Sequence, residues 1–444
     1  MKKLVLVFSY LLFVTTFYGA ETQVWYISLA EAKEYAKKYH PTVSSAMLDI
    51  AKAEEQINEI KASGLPQLNA SVDINHYLKQ PVSIIPSFDP NAPEGTTQEL
   101  IFGTKNNLTA GISANQLLFD ASFFQGLKLA EIYSDLAKKK ALQTSLETQF
   151  KVEQAYLSAL IAKENIALLQ NNMPTINRIL FETEQLFING FAEAVEVDRL
   201  VLSKSNLETQ IANLQEQHDL AVELLRFQMG YGEEKVLILT DNLDDLMEMD
   251  IVALDAVNEA KNRIEYEVME TQNALNDMNI KTIEARYYPS VAAYGNYQWA
   301  AQREKFNYLN LNEPWFDTFI IGLTVNVPIF DGFLKRSQIE QAKIDKEKIN
   351  YATEILDQAV TLEIKQAKTN YTNALIQKQS QDDNLKLAQK IYNTAMIKYK
   401  EGLGSSLELN SAESALLETQ ANYINSLYNL ILAKSDINKA YGKY

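Results

Sequence analysis

The chain has 444 residues, with 41 Lys and Arg against 57 Asp and Glu, so its formal net charge is −16. That sign excludes a phosphate-binding surface, and with it nucleic acid as a partner. With no cysteine there are no disulfides, thiolate metal sites or cysteine nucleophiles. Only 15 glycines and 10 prolines serve the whole length, so long uninterrupted elements are expected.

Residues 1–20 read as a secretion signal: Lys2 and Lys3, an apolar run from Leu4 to Tyr18, then the small residues Gly19 and Ala20. No stretch of 18 apolar residues follows, so a membrane crossing by the mature chain would not be helical. Residues 21–230 form a first predicted repeat. It holds a helix over 28–63, an alternating segment over 68–78, a loop over 79–105 and a second alternating segment over 106–119. A helical hairpin over 121–229 completes it, its tip at Gly190. Residues 231–253 form an acidic connector. A second repeat over 254–444 follows the same order. Its helix is 254–286, its strands are 291–301 and 317–329, and its hairpin is 332–441 with a tip at Gly402.

The duplication rests on matched residues at a nearly constant offset. Gly111, Asn115 and Phe119-Asp120 recur 211 positions later as Gly322, Asn326 and Phe330-Asp331. Phe187-Ile-Asn-Gly190 matches Tyr399-Lys-Glu-Gly402, and Gly230 matches Gly442, at an offset of 212. Leu65-Pro66 and Tyr288-Pro289 open the alternating segments of the two halves.

The long helices carry a coiled-coil repeat. Ala155, Ala159, Ala162, Ile166, Leu169, Met173, Ile176 and Leu180 alternate spacings of four and three. So do Leu409, Ala412, Leu416, Thr419, Tyr423, Ser426, Leu430, Ala433, Ile437 and Ala440. A sustained 3.5-residue period lets side chains interlock along a seam, and its many alanines favour close helix approach. Pro174 cannot donate its backbone bond and is expected to kink its helix. The strand segments alternate with period two, as in Leu68, Ala70, Val72 and Ile74 against Asn69, Ser71, Asp73 and Asn75. Such a ribbon crosses a bilayer when tilted. Four strands cannot close a barrel and lipid does not tolerate an open sheet edge, so spanning requires several chains to share one barrel.

This plan resembles the TolC-type outer membrane efflux factors. The resemblance rests on the duplicated order, the Phe-Asp after each second strand, and the tip patterns Phe187-Ile-Asn-Gly190…Glu196-Val197 and Tyr399-Lys-Glu-Gly402…Glu408-Leu409. It implies a mainly α fold with a membrane β part. Long antiparallel coiled-coil helices form an α-barrel in the periplasm, and four strands per protomer join a trimeric barrel among outer-membrane lipids. The implied partners are two further copies, a periplasmic adaptor protein and an inner-membrane transporter. The tip turns would be Gly190, Gly402 and Gly404. At the gate, Tyr399 matches the family's tip tyrosine and Glu196 its acidic position. The family's basic position falls on Gly404 and its ring-forming acid on Ser411, so Glu193, Glu408 and Glu413 are candidate substitutes. Phe119, Asp120, Phe330 and Asp331 mark the strand-to-helix junctions.

Chemistry has no foothold in the sequence. His40, His76 and His218 are scattered without metal spacing, and no phosphate loop, nucleophile elbow or zinc-protease motif appears. No cofactor and no enzymatic activity are expected. The expected function is a passive exit duct driven by a partner pump. The alternative, resting on the heptads alone, is a periplasmic coiled-coil scaffold or stalk without a pore.

Overall fold

Alternating side chains leave one apolar and one polar face on a ribbon, and four such ribbons pair in the computed structural model of the chain. The structure describes residues 24–88, 90–91, 93–232, 236–247, 261–308, 310 and 312–443. The signal segment and parts of the connector and of the expected 254–286 helix lie outside them. The described residues divide into two compact units, one within the ranges 1–45, 144–260 and 360–444 and the other within 46–143 and 261–359.

The second unit contains the sheet. Strands β1 (Val24–Ile27), β2 (Gln67–His76), β3 (Val82–Pro86), β4 (Thr97–Ile101), β5 (Asn106–Phe119), β6 (Val236–Leu239), β7 (Ser290–Arg303) and β8 (Phe316–Asn326) follow one another along the chain. Of these, β2, β5, β7 and β8 pair in that order, all antiparallel. The register aligns Ala70, Ile112, Tyr297 and Phe319 in one row and Leu68, Ala114, Gly295 and Ile321 in the next. The opposite face carries Ser71, Gly111, Gln298 and Thr318, then Asn69, Ser113 and Asn296. Gly322 lies opposite Tyr294, and a Cβ there would sit 2.6 Å from the tyrosine ring, so this glycine is required by close approach.

Several boundaries differ from expectation for physical reasons. β8 stops at Asn326, short of 329, because Pro328 has no N–H to give the ladder. The segment 79–105 is not a plain loop: β3 and β4 pair in it as a hairpin, with Pro81 ahead of β3 and Pro86 at its end, where prolines are tolerated. The 28–63 segment divides into helices α1 (Leu29–Tyr39) and α2 (Pro41–Ser63). Between them His40 is extended, as the residue before a proline must be, and Pro41 suits a first helical position.

Helix α3 (Ala121–Ile188) has 68 residues and continues through Pro174 without a break; at 1.5 Å per residue it is about 100 Å long. It is followed by α4 (Ala194–Met229), α5 (Leu243–Met247), α6 (Ile264–Ala285), α7 (Leu334–Lys400) and α8 (Ser406–Ala440). α7 starts two residues later than expected because Gly332 (φ 66°) and Phe333 (φ 68°) take left-handed conformations first. In the second unit α6 is tied to α7 by Lys346–Asp277 at 2.6 Å and by Asn276 Nδ2 donating to the Ala342 carbonyl at 2.8 Å.

In the first unit the connector forms structure of its own. β6 pairs in parallel with β1, and α5 follows. Their apolar faces bury Ile27, Leu237, Leu239 and Leu243 against α1, α3, α4 and α8. At the centre, Tyr156 is fully buried and its hydroxyl donates to the Ile27 carbonyl at 3.1 Å. The Asp241 carboxylate accepts from Leu29 N at 2.7 Å. Lys163 Nζ donates to the Leu239 carbonyl at 2.9 Å, fixing the end of β6. Below this layer the heptads are the core: Ala155, Ala159, Ile166, Leu169 and Ile176 are buried on α3, and Leu409, Ala412, Leu416, Leu430, Ala433 and Ile437 on α8.

Candidate functional site

Both hairpins of the first unit end in the same kind of turn, set by glycine. Gly190 (φ 81°) and Gly402 (φ 70°) are left-handed, a conformation that costs an L-residue with a side chain about 1–2 kcal/mol. At each, the glycine N–H bonds the carbonyl three residues back, Phe187 or Tyr399. The next N–H, of Phe191 or Leu403, bonds the carbonyl five residues back at 2.8 Å. This pairing satisfies carbonyls orphaned at a helix end. Gly404 is different. Its φ is not left-handed, and a Cβ there would lie 3.0 Å from Lys398 Cβ, so it is needed for close packing on the end of α7.

The start of α8 is capped by Ser405, whose hydroxyl accepts from Glu408 N at 3.2 Å. Glu408 then pairs with Lys398 Nζ at 2.9 Å across the turn. Glu193 is the N-cap residue of α4 without a side-chain capping bond, and it is exposed. Glu196 lies half-buried in the first turn of α4, where a carboxylate favours the helix dipole. Ser411 is exposed on α8.

Tyr399 is where the two hairpins meet. Its hydroxyl lies 2.7 Å from the Thr183 hydroxyl on α3, and Thr183 is fully buried. Around this bond Ile179 of α3, Leu200 of α4, Ala395 of α7, and Leu409 and Ala412 of α8 form one buried cluster, with Tyr392, Met396 and Tyr399 packed against it. Burial raises the Tyr399 phenol above its ordinary range; the bond to Thr183 opposes this, while Glu196 and Glu182 add to it. Tyr399 is therefore neutral at physiological pH and free to donate. The structure thus brings Tyr399 and Glu196 to one place, pairs Glu408 with Lys398, and leaves Glu193 and Ser411 exposed.

Sequence reasoning missed Thr183 and Lys398. Thr183 had a signal: it falls three residues after Leu180, the next seam position in the spacing that begins at Ala155, and a polar residue there needs a partner. Lys398 had none, because it stands before the turn while the basic position was sought after it.

At the other ends of α3 and α7, the junction aspartates cap helices. Asp120 Oδ1 accepts from Ser122 N at 2.7 Å and Phe123 N at 3.2 Å. Asp331 accepts from Lys335 N at 3.2 Å and pairs with Lys335 Nζ at 3.1 Å. Phe119 contacts Phe124, and Phe330 contacts Phe333, with ring centroids 6.4 and 5.4 Å apart. Among the described residues no group of three or more His, Asp or Glu gathers as a metal site, and no helix is long and apolar enough to cross a membrane.

A family model described as outer membrane efflux protein matches residues 34–231 and 261–443. The outer membrane protein TolC of Vibrio cholerae is 21% identical over 442 residues, covering 97% of this chain and 94% of that protein. TolC of Escherichia coli K12 is 22% identical over 434 residues, covering 94% and 82%. The fold is similar to that of the transmembrane channel protein CusC, with a TM-score of 0.73 and 17% identity over 94% of this chain and 92% of that one.

Proposed function

The chain belongs to the outer membrane efflux protein family, and from that premise we propose that three copies close one twelve-stranded barrel and act as a passive exit duct for a partner pump. As a family member it is an outer-membrane efflux channel, a conduit and not an enzyme.

The four-stranded sheet carries this reading. β2 and β8 are its end strands. Leu68, Val72 and Ile74 on β2 are 54–72% exposed, and Phe319, Ile321, Leu323 and Val325 on β8 are 60–74% exposed. Apolar side chains on one face of strands 10–14 residues long suit a lipid-facing band. The polar face, with Asn69, Ser71, Ser113, Asn296 and Gln298, suits a water-filled bore. Tyr297 packs on Trp299 at 4.4 Å within the apolar face, as an interfacial aromatic would. The two bare edges supply the joint between copies, β8 of one beside β2 of the next.

The long hairpins are read as the periplasmic part, with their glycine tips as the surface for an adaptor and an inner-membrane transporter. In the single chain the seam around Thr183 and Tyr399 holds the two hairpins together, so it is the gate that such partners would separate. The test is extraction of the mature protein from outer membranes, sizing in detergent and recording in a planar bilayer. Detergent-dependent trimers that conduct are expected. A monomer soluble without detergent, or trimers without current, would instead favour a stalk and overturn the duct.

A further inference from the structure

Glu413 lies on α8, one residue from the seam position Ala412, and is 4% exposed. The other seam positions on this helix are Leu, Ala, Ile, Thr, Ser and one Tyr, with no ionised side chain. A carboxyl buried in a helix seam is costly when ionised unless it is paired and fully hydrogen-bonded. Here Oε2 has no hydrogen-bond partner. Of the groups on the helices around it, the Tyr392 hydroxyl of α7 feels both Glu413 and Arg178 of α3. Arg178 is engaged with Glu182 of its own helix at 3.7 Å. Tyr399, seven residues along α7, faces Glu196 of α4 and Glu182 of α3. The cross-hairpin cluster of Ile179, Leu200, Ala395 and Leu409 includes Ala412, the residue next to Glu413.

Taking the tip seam as a gate, as proposed above, we propose that the Glu413 carboxyl is its proton-binding site: protonated it holds the two hairpins together, and ionised it favours their separation. Only a parted seam offers the carboxylate water. The geometry is a buried acid with an unsatisfied oxygen beside the contact that joins both hairpins. The acid–base behaviour agrees. Burial alone pushes the Glu413 carboxyl up to about 7, from an ordinary value of 4.5. Tyr392, pushed up to about 12 by burial and by the charge of Glu413, stays neutral and adds no second negative charge.

The direction follows from linkage. In the closed seam the carboxyl keeps its proton up to about pH 7, whereas in a parted, hydrated seam it loses it near 4.5. Between those values the closed form binds one more proton. The ratio of open to closed therefore rises by up to about tenfold per pH unit over that interval. Above it both forms are ionised and the ratio levels off. Acid closes the gate.

Two measurements test this. Currents through the full chain in planar bilayers, recorded from pH 4.5 to 8, are expected to rise with pH and level off above about 7. Glu413→Gln, which cannot ionise, should give a flat profile. Glu418→Gln, an exposed acid farther along α8, should keep the wild-type profile. The second measurement needs no change at 413. The chain has no cysteine, so Ala395→Cys in the seam can be labelled with a thiol reagent alone. Its rate, divided by that of the exposed Asn189→Cys, cancels thiol ionisation. That ratio should increase about tenfold or more between pH 5 and 7. A flat ratio, or a Glu413→Gln channel with the wild-type profile, overturns the proposal. Absence of current in every variant would instead remove the duct reading, which the labelling ratio does not depend on.

Discussion

The hydroxyls of Thr183 and Tyr399, 216 residues apart in sequence, lie 2.7 Å from each other and join the two helical hairpins at their tips. A buried neutral hydrogen bond of this kind contributes about 0.5–1.5 kcal/mol. Tyr399→Phe is therefore expected to raise the open-to-closed ratio by about two- to tenfold, read as open probability in single-channel records. Thr183→Val should act in the same direction. The double variant should cost less than the sum, since the two residues share one bond. Additive effects would place the two hydroxyls on separate partners.

Tyr156 gives a prediction about the connector. Its buried hydroxyl donates to the Ile27 carbonyl at 3.1 Å and lies 3.4 Å from Asp241 N. Tyr156→Phe leaves that carbonyl without this donor and should cost about 1–2 kcal/mol locally. Amide hydrogen exchange in Val24–Ile27 and Val236–Leu239 should then speed up, while exchange in the strands of the second unit stays unchanged. Equal acceleration everywhere would show that the tyrosine supports the whole chain instead of this layer.

The tip glycines differ in what they tolerate. Gly402→Ala meets no atom within 4 Å but must hold φ at 70°, so a loss of about 1 kcal/mol is expected. Gly404→Ala has no such backbone strain but places its Cβ 3.0 Å from that of Lys398. It should disturb the Lys398–Glu408 pair, which lies across the same turn. Nuclear magnetic resonance of the lysine side chain would separate the two cases: a moved Lys398 signal in Gly404→Ala and a retained one in Gly402→Ala.

Asp331 gives a pH dependence of the opposite sign to that of Glu413. The side-chain bond from Lys335, with help from its backbone N–H, holds this carboxyl below its ordinary 3.8. A depressed carboxyl stabilises the fold above its unfolded value, and the contribution disappears as pH falls through the folded one. Exchange protection at the start of α7 should therefore weaken below about pH 3.8 in the wild type. In Asp331→Asn it should be weaker already at neutral pH and change little on acidification. An unaltered acid profile in that variant would assign the effect to another group.

Much of this architecture is legible in the sequence because it is periodic. A spacing of two along Leu68–Ile74 or Phe319–Val325 and a spacing of four and three along Ala155–Leu180 each select one face, and faces are what a sheet or a seam buries. What escaped was set by single residues acting locally. Pro41 divides one expected helix into two, and Pro328 ends β8 early. β1 and β6 are four residues each, too short to show a period, and they are held by Tyr156, far from both in sequence, and by Asp241, which is next to β6 but 212 residues from its partner Leu29. At the tips, left-handed turns fall at Gly190 and Gly402, and Tyr399, matched in sequence only as a tip tyrosine, makes a contact across the hairpins. Its partner Thr183 depended on reading a polar residue as part of the seam, and the ion pair from Lys398 depended on a side chain reaching back across the turn.

The bare backbone of β2 and β8 has a consequence for how the protein is made. Each edge offers a row of amide and carbonyl groups that hydrocarbon cannot satisfy, beside apolar side chains that water disfavours. A newly exported copy is suited to neither environment by itself. If copies share one barrel as proposed, neighbour must find neighbour before or during entry into the bilayer, so yield should depend steeply on how many copies arrive together. Any factor that shields those two rims in transit would govern how much finished channel a cell obtains.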